Sequence, residues 1–101
     1  MFIDNRKRIA RFVKRVPDMR GDVALYQLTV PLDERDFRGR LVKRHRYVIV
    51  CSVMQPHTGM ETYICPANEH GKQIGFGKLK GSYKGGMNRV KALQNAGYEV
   101  E

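Results

Sequence analysis

The chain carries 101 residues, a formal net charge of +9, 42% hydrophobic residues and nine aromatics, too much core-forming material for a disordered polyelectrolyte and enough for one domain, residues 1–101. No window approaches the ~18 apolar residues of a membrane span, and Met1 to Arg8 runs into charge with no apolar stretch behind it. The expectation is therefore a soluble, unsecreted, cytoplasmic protein whose two cysteines, Cys51 and Cys65, are reduced.

Residues 8–16 alternate, with Ile9, Arg11 and Val13 opposed to Ala10, Phe12 and Val16. Residues 23–30 alternate again through Ala24, Tyr26, Leu28 and Val30, and Pro17, Asp18, Gly21 and Asp22 turn the chain between the two strands. Pro31 to Arg40 reads as a polar connection. A second hairpin joins strand 45–54 to strand 61–66. A three-residue loop of His57, Thr58 and left-handed Gly59 sets Cys51 opposite Cys65, Val53 opposite Tyr63 and Gln55 opposite Glu61. Pro56 works against this register, because it cannot donate the hydrogen bond expected near the loop base. Residues 72–79 are a further strand candidate, weakened by Gly75 and Gly77. Met87, Val90, Leu93 and Ala96 then repeat at helical spacing, with Asn88 to cap the start and Gly97 just past the end. Tyr98 and Val100 form an apolar tail that packs back or adds an edge strand. The expected fold class is α+β: an antiparallel sheet of two hairpins plus an edge strand, with one C-terminal helix packed on it.

The run Glu61, Thr62, Tyr63, Ile64, Pro66 and Ala67, the stretch Gly81, Ser82, Tyr83, Gly85 and Gly86, and the end Ala92, Leu93, Ala96, Gly97, Tyr98, Glu99 and Val100 resemble small uncharacterised proteins encoded by phages of actinobacteria. Met19, Arg20, Gly21, Leu25, Tyr26, Leu28, Pro31 and Leu32 are similar to them as well, so the resemblance spans most of the chain. It implies a phage accessory gene product and brings no catalytic residues. The basic residues 38–46 stand outside that pattern.

Chemistry-bearing residues are scattered. Cys51, Cys65, His45, His57 and His70 lack the two-to-four-residue spacing of a zinc knuckle, so no metal and no cofactor is expected. Cys65, His70 and Glu69 supply the residue types of a nucleophilic triad, but one exposed turn holds two of the three, a poor water-excluding site; no enzymatic activity is expected. Ile74 to Gly86, IGFGKLKGSYKGG, is the stretch most suggestive of a ligand. Its glycines let backbone amides approach phosphates, Lys78, Lys80 and Lys84 add charge, and Phe76 and Tyr83 are candidates to stack on bases. It lacks the G-K-[ST] of a Walker loop, and the competing reading is a glycine-kinked strand with a solvated lysine face.

The charge itself is uneven: residues 1–50 hold 13 Lys and Arg against 6 Asp and Glu, and residues 51–101 hold 6 against 4. Arginine dominates the basic half, and its planar fork suits phosphate oxygens. Arg38, Arg40, Lys43, Arg44, His45 and Arg46 begin in a loop and enter a strand, where Arg44 and Arg46 share one face and Lys43 and His45 the other. With Arg6, Lys7, Arg8, Arg11, Lys14 and Arg15 on a nearby strand they would make a basic face. The leading expectation is non-enzymatic binding of nucleic acid through phosphates, by Arg11, Arg15, Arg40, Arg44, Arg46, Lys78 and Lys80, with Phe76 and Tyr83 as stacking platforms. The alternative is an interaction protein whose basic face meets an acidic host protein and diverts or inhibits it. A third reading is a homo-oligomer built on an uncovered sheet edge.

Overall fold

The computed structural model describes residues 7–17, 21–75 and 77–101; Arg6, Asp18, Met19, Arg20 and Phe76, named above, lie outside them. Among the described residues, six strands form one sheet: β1 (Ile9–Arg15), β2 (Asp22–Arg35), β3 (Leu41–Gln55), β4 (Gly59–Ala67), β5 (Tyr83–Lys84) and β6 (Glu99–Val100), with one helix, α1 (Arg89–Asn95), between the last two. The strand order is β5-β4-β3-β2-β1-β6, antiparallel throughout except that β6 runs parallel to β1.

This overturns the expected α+β architecture of two hairpins, an edge strand and a covering helix. The two hairpins are not separate units. β2 and β3 are the two longest strands and pair with each other, so the segment expected to be a polar connection is instead the far end of a long hairpin. Pro31 does not end β2. Residues 28–31 of β2 lie opposite the single residue Arg46 of β3, between the pairs Gln27–Tyr47 and Leu32–His45. Pro31 falls in this irregularity, where its missing N–H breaks no ladder bond.

The second hairpin slips by two residues from its expected register. Gln55 pairs with Gly59, Val53 with Glu61, Cys51 with Tyr63 and Ile49 with Cys65. The loop is Pro56, His57 and Thr58, which takes Pro56 out of the ladder, and Gly59 enters the strand at φ +79°. A two-residue slip preserves the faces, so both cysteines stay on one side, but they are no longer opposed.

Among the described residues of the stretch 72–79 there is no strand. Apart from an isolated bridge between Ala67 and Gln73, the segment is tied to the edge of β4 by single bonds: Ile74 N–H donates to Pro66 O (3.0 Å) and Leu79 N–H to Ile64 O (2.7 Å). Ser82 Oγ accepts from Ile64 N–H (2.9 Å) and donates to Leu79 O (2.8 Å), in effect standing in for the missing ladder.

Alternation sorts the sheet's apolar residues onto two faces. Ala24, Tyr26, Leu28, Val48, Val50 and Ile64 meet Ala92, Leu93 and Ala96 of the helix region, with Tyr98 and Leu79 closing the cluster. Val23, Leu25, Ile49, Cys51, Cys65 and Ala67 face the other way, and the turn at Gly71 folds against them beside Val16 and Leu25. The helix has only seven residues. Asn88 caps it, its side chain accepting from Lys91 N–H (3.0 Å), and Ala92 and Leu93 are its buried contribution. It lies close because Gly81, at φ +105°, has no side chain: a Cβ there would stand 2.4 Å from Ala92 O. The tail then crosses to β1, where Glu99 N–H donates to Arg8 O and Glu101 N–H to Ala10 O, both at 2.9 Å.

Candidate nucleic-acid interface

β1 pairs with β2 only as far as Leu28, and β4 pairs with β3 only as far as Tyr47. Past those points the β2–β3 hairpin continues as a two-stranded ribbon, residues 29–46, and the molecule is elongated, 47 × 31 × 22 Å.

The base of the ribbon is fixed to the body. Thr29 Oγ1 accepts from Ile9 N–H (2.8 Å) and donates to Lys7 O (2.7 Å), and Tyr98 donates its hydroxyl to Val30 O (2.6 Å), satisfying a carbonyl in the irregular stretch. Leu32 is packed in the helix-side core, and His45, opposite it, is buried with Nε2 2.7 Å from Glu34 Oε1. The outer part is different. Among the described residues, the hydrogen bonds and ion pairs of residues 35–44 stay within the ribbon.

The tip is a three-residue turn with a local sequence cause. Gly39 N–H donates to Asp36 O and Asp36 N–H to Arg40 O, both at 2.9 Å, while the Asp36 carboxylate accepts from the N–H groups of Arg38 (2.9 Å) and Arg40 (3.0 Å). Gly39 sits at φ +79°, the left-handed position that closes such a loop. An Asp followed three residues later by Gly is the signature of this turn, and that signal was available in the stretch read as a polar connection.

From Asp33 to Arg46 the ribbon holds six cations (Arg35, Arg38, Arg40, Lys43, Arg44 and Arg46) against three carboxylates (Asp33, Glu34 and Asp36). Asp33 is shared between Arg35 and Arg44, each at 3.2 Å, Asp36 pairs with Arg40 at 3.4 Å, and Glu34 is taken by His45. Arg38, Lys43 and Arg46 form no ion pair among the described residues. The existing pairs are largely exposed and worth about 0–1 kcal/mol each, so a phosphate can replace the carboxylate at little cost. Arg44 and Arg46 are exposed on either side of buried His45, as strand alternation requires.

The expected site residues are not brought together as one set. Arg40, Arg44 and Arg46 share the ribbon. Arg15 lies opposite Ala24 on the helix side and is bound to Asp22 at 2.7 Å, where Arg89 also binds at 3.1 Å. Arg11 lies opposite Gln27 on the other side and pairs with Glu101 at 3.1 Å. Lys78 is held by Glu61, with its ammonium 5.3 Å from the centre of the Tyr63 ring. Lys80 is exposed and lines a cleft of about 590 Å³ between residues 77–80 and the ribbon base, together with Arg8, Asp33, Glu34 and Arg35. Phe76 lies outside the described residues. Tyr83 is not a free platform: its ring packs on the core, against Gly86 and 5.2 Å from the Lys91 ammonium. The glycine-rich stretch serves close packing, at Gly81 against the helix and at Gly86 against Tyr83.

The other candidate chemistry is dispersed as well. Cys65 is buried in the sheet and burial pushes its thiol up to about 12, while His70 and Glu69 are exposed and pair with each other at 3.5 Å. Burial also raises Cys51, offset in part by a hydrogen bond with Tyr63, and pushes the Tyr63 hydroxyl up to about 12. A thiol held protonated in this way is a poor nucleophile.

No family model, curated protein or solved structure matches the chain. No helix among the described residues is long and apolar enough to cross a membrane.

Proposed function

We propose that this protein is a non-enzymatic nucleic-acid-binding module that grips phosphates with the β2–β3 ribbon, in keeping with a phage-type accessory protein. The observation that carries the reading is the ribbon's excess of cations: six against three carboxylates, each of the three already engaged, on a segment that leaves the body of the sheet. Arg38, Arg40, Lys43, Arg44 and Arg46 are the proposed phosphate contacts, with Lys80 and Arg8 extending the basic surface at the ribbon base. Arg11, Arg15 and Lys78 drop out of the first rank because each already has a carboxylate away from the ribbon.

Titration of nuclease-treated protein against labelled single- and double-stranded DNA and RNA at two salt concentrations tests the proposal. Binding should weaken steeply with salt, since each neutralised phosphate contributes about 0.9 to the slope of log K against log salt. The double variant Arg44→Ala/Arg46→Ala should bind more weakly and lower that slope by about two. Undiminished binding by this variant removes the ribbon from the interface. No binding at low salt transfers the basic surface to an acidic protein partner.

A further inference from the structure

The ribbon's charge leaves one feature of its tip unexplained. Phe37 occupies the first position of the three-residue turn and is 93% exposed, the most exposed large hydrophobic side chain among the described residues. The Arg38 guanidinium stands 5.4 Å from the ring centre. Leu41 and Val42, also exposed, lie at the same end of the ribbon. Leaving a phenyl ring in water forgoes the stabilisation of burial, and the turn does not need it: the fold here depends on Asp36 and Gly39, which make the loop's hydrogen bonds and its left-handed step.

We infer that Phe37 is a wedge that enters between stacked base pairs of duplex nucleic acid when the ribbon lies in a groove. This inference rests on the phosphate-binding reading above. The geometry suits it in three respects. A two-stranded ribbon, with strands ~4.8 Å apart, is slim enough to follow the minor groove, which opens as a wedge bends the duplex toward the major groove. The turn is held by four hydrogen bonds through Asp36, so the ring is carried on a defined tip. Cations stand on both strands behind it, Arg35 on one and Lys43, Arg44 and Arg46 on the other, where the two phosphate backbones flank a groove. Apolar side chains inserted between base steps from basic arms kink and partly unstack the duplex, exchanging stacking for a larger wrapped surface. A lipid surface is the less favourable partner. One ring provides far less apolar burial than a myristoyl chain, which alone binds membranes only marginally.

The test uses the full chain and a duplex of about 20 base pairs carrying 2-aminopurine at a central, easily unstacked TA step. Wild-type protein should bind with a rise in 2-aminopurine fluorescence. Phe37→Ala should bind roughly tenfold more weakly, a loss within the range of one base–aromatic stack, and abolish the rise. Its salt slope should stay unchanged because no cation is lost. Phe37→Trp should keep both affinity and signal. The thermal midpoint of Phe37→Ala should match the wild type, since so exposed a ring is not part of the core. Salt-dependent binding with no fluorescence rise, or a rise that survives Phe37→Ala, overturns the wedge and leaves the phosphate reading standing. Absence of duplex binding at low salt overturns both. Loss of binding to anionic vesicles by Phe37→Ala, with duplex binding unaltered, reassigns the ring to lipid.

Discussion

The sheet body and the ribbon follow opposite rules with the same chain. In the body, every buried side-chain polar atom among the described residues has a partner. Thr62 is fully buried and shows the pattern: its hydroxyl donates to Gly86 O (2.8 Å) and accepts from Asn88 N–H (3.0 Å), joining β4 to the start of the helix. The ribbon past Arg35 carries more cations than local carboxylates can match and an aromatic ring in water. Stability is concentrated in one region and unsatisfied interaction capacity in the other. That separation allows the two to be perturbed independently.

The largest effect should come from the core. Leu93→Ala removes a fully buried side chain where the helix meets the sheet and should cost ~2–5 kcal/mol in denaturant unfolding, enough to threaten a domain of this size. The fraction that remains folded should bind nucleic acid as before, and a lower affinity per folded molecule would break the separation. Thr62→Val should cost about 1–3 kcal/mol, because it strands the Asn88 N–H and the Gly86 carbonyl at a nearly isosteric site. An unchanged unfolding midpoint would show that this junction is dispensable.

The body should also respond to alkaline pH. Cys51 and Cys65 are held protonated by burial, whereas in the unfolded chain they ionise near their ordinary value of 9.0. Above that value the unfolded state binds fewer protons than the native state, so stability is fully present below about pH 9 and falls as pH rises toward about 12. Urea midpoints should hold from pH 8 to about 9 and decline above it, and Cys65→Ala should lessen the decline, to which Cys51 and the buried tyrosines also contribute. Native protein should react with a thiol reagent only as fast as it opens. The smallest stability effect should be that of Arg44→Ala/Arg46→Ala, within about 0.5 kcal/mol of wild type, since both side chains are exposed. A larger loss would mean that the ribbon supports the body.

How legible these regions were in the sequence depended on range. The helix cap at Asn88 is local, and a single residue's side chain meets an N–H three positions on, so spacing sufficed. The tip turn was equally local in Asp36 and Gly39, within the stretch expected to be a polar connection. The hairpin register turned on where Pro56 would be tolerated, and the objection that Pro56 raised was the correct one: it belongs in the loop. The described residues of 72–79 failed as a strand because pairing with β4 is replaced by Ser82 and a few isolated bonds, an arrangement no alternation pattern encodes.

The sequence by itself determined the excess of positive charge, its weight in the first half, the two cysteines without a ligand pattern, and the start and end of the helix, because each depends on composition or on neighbours within one turn. Tertiary structure alone decided which arginines meet Asp22, Asp33 or Glu101 and which form no ion pair among the described residues. It also decided that β2 and β3 outrun their neighbours to make a ribbon. The reason is physical: an ion pair or a sheet edge is set by strand register, and register follows from packing between segments far apart in the chain.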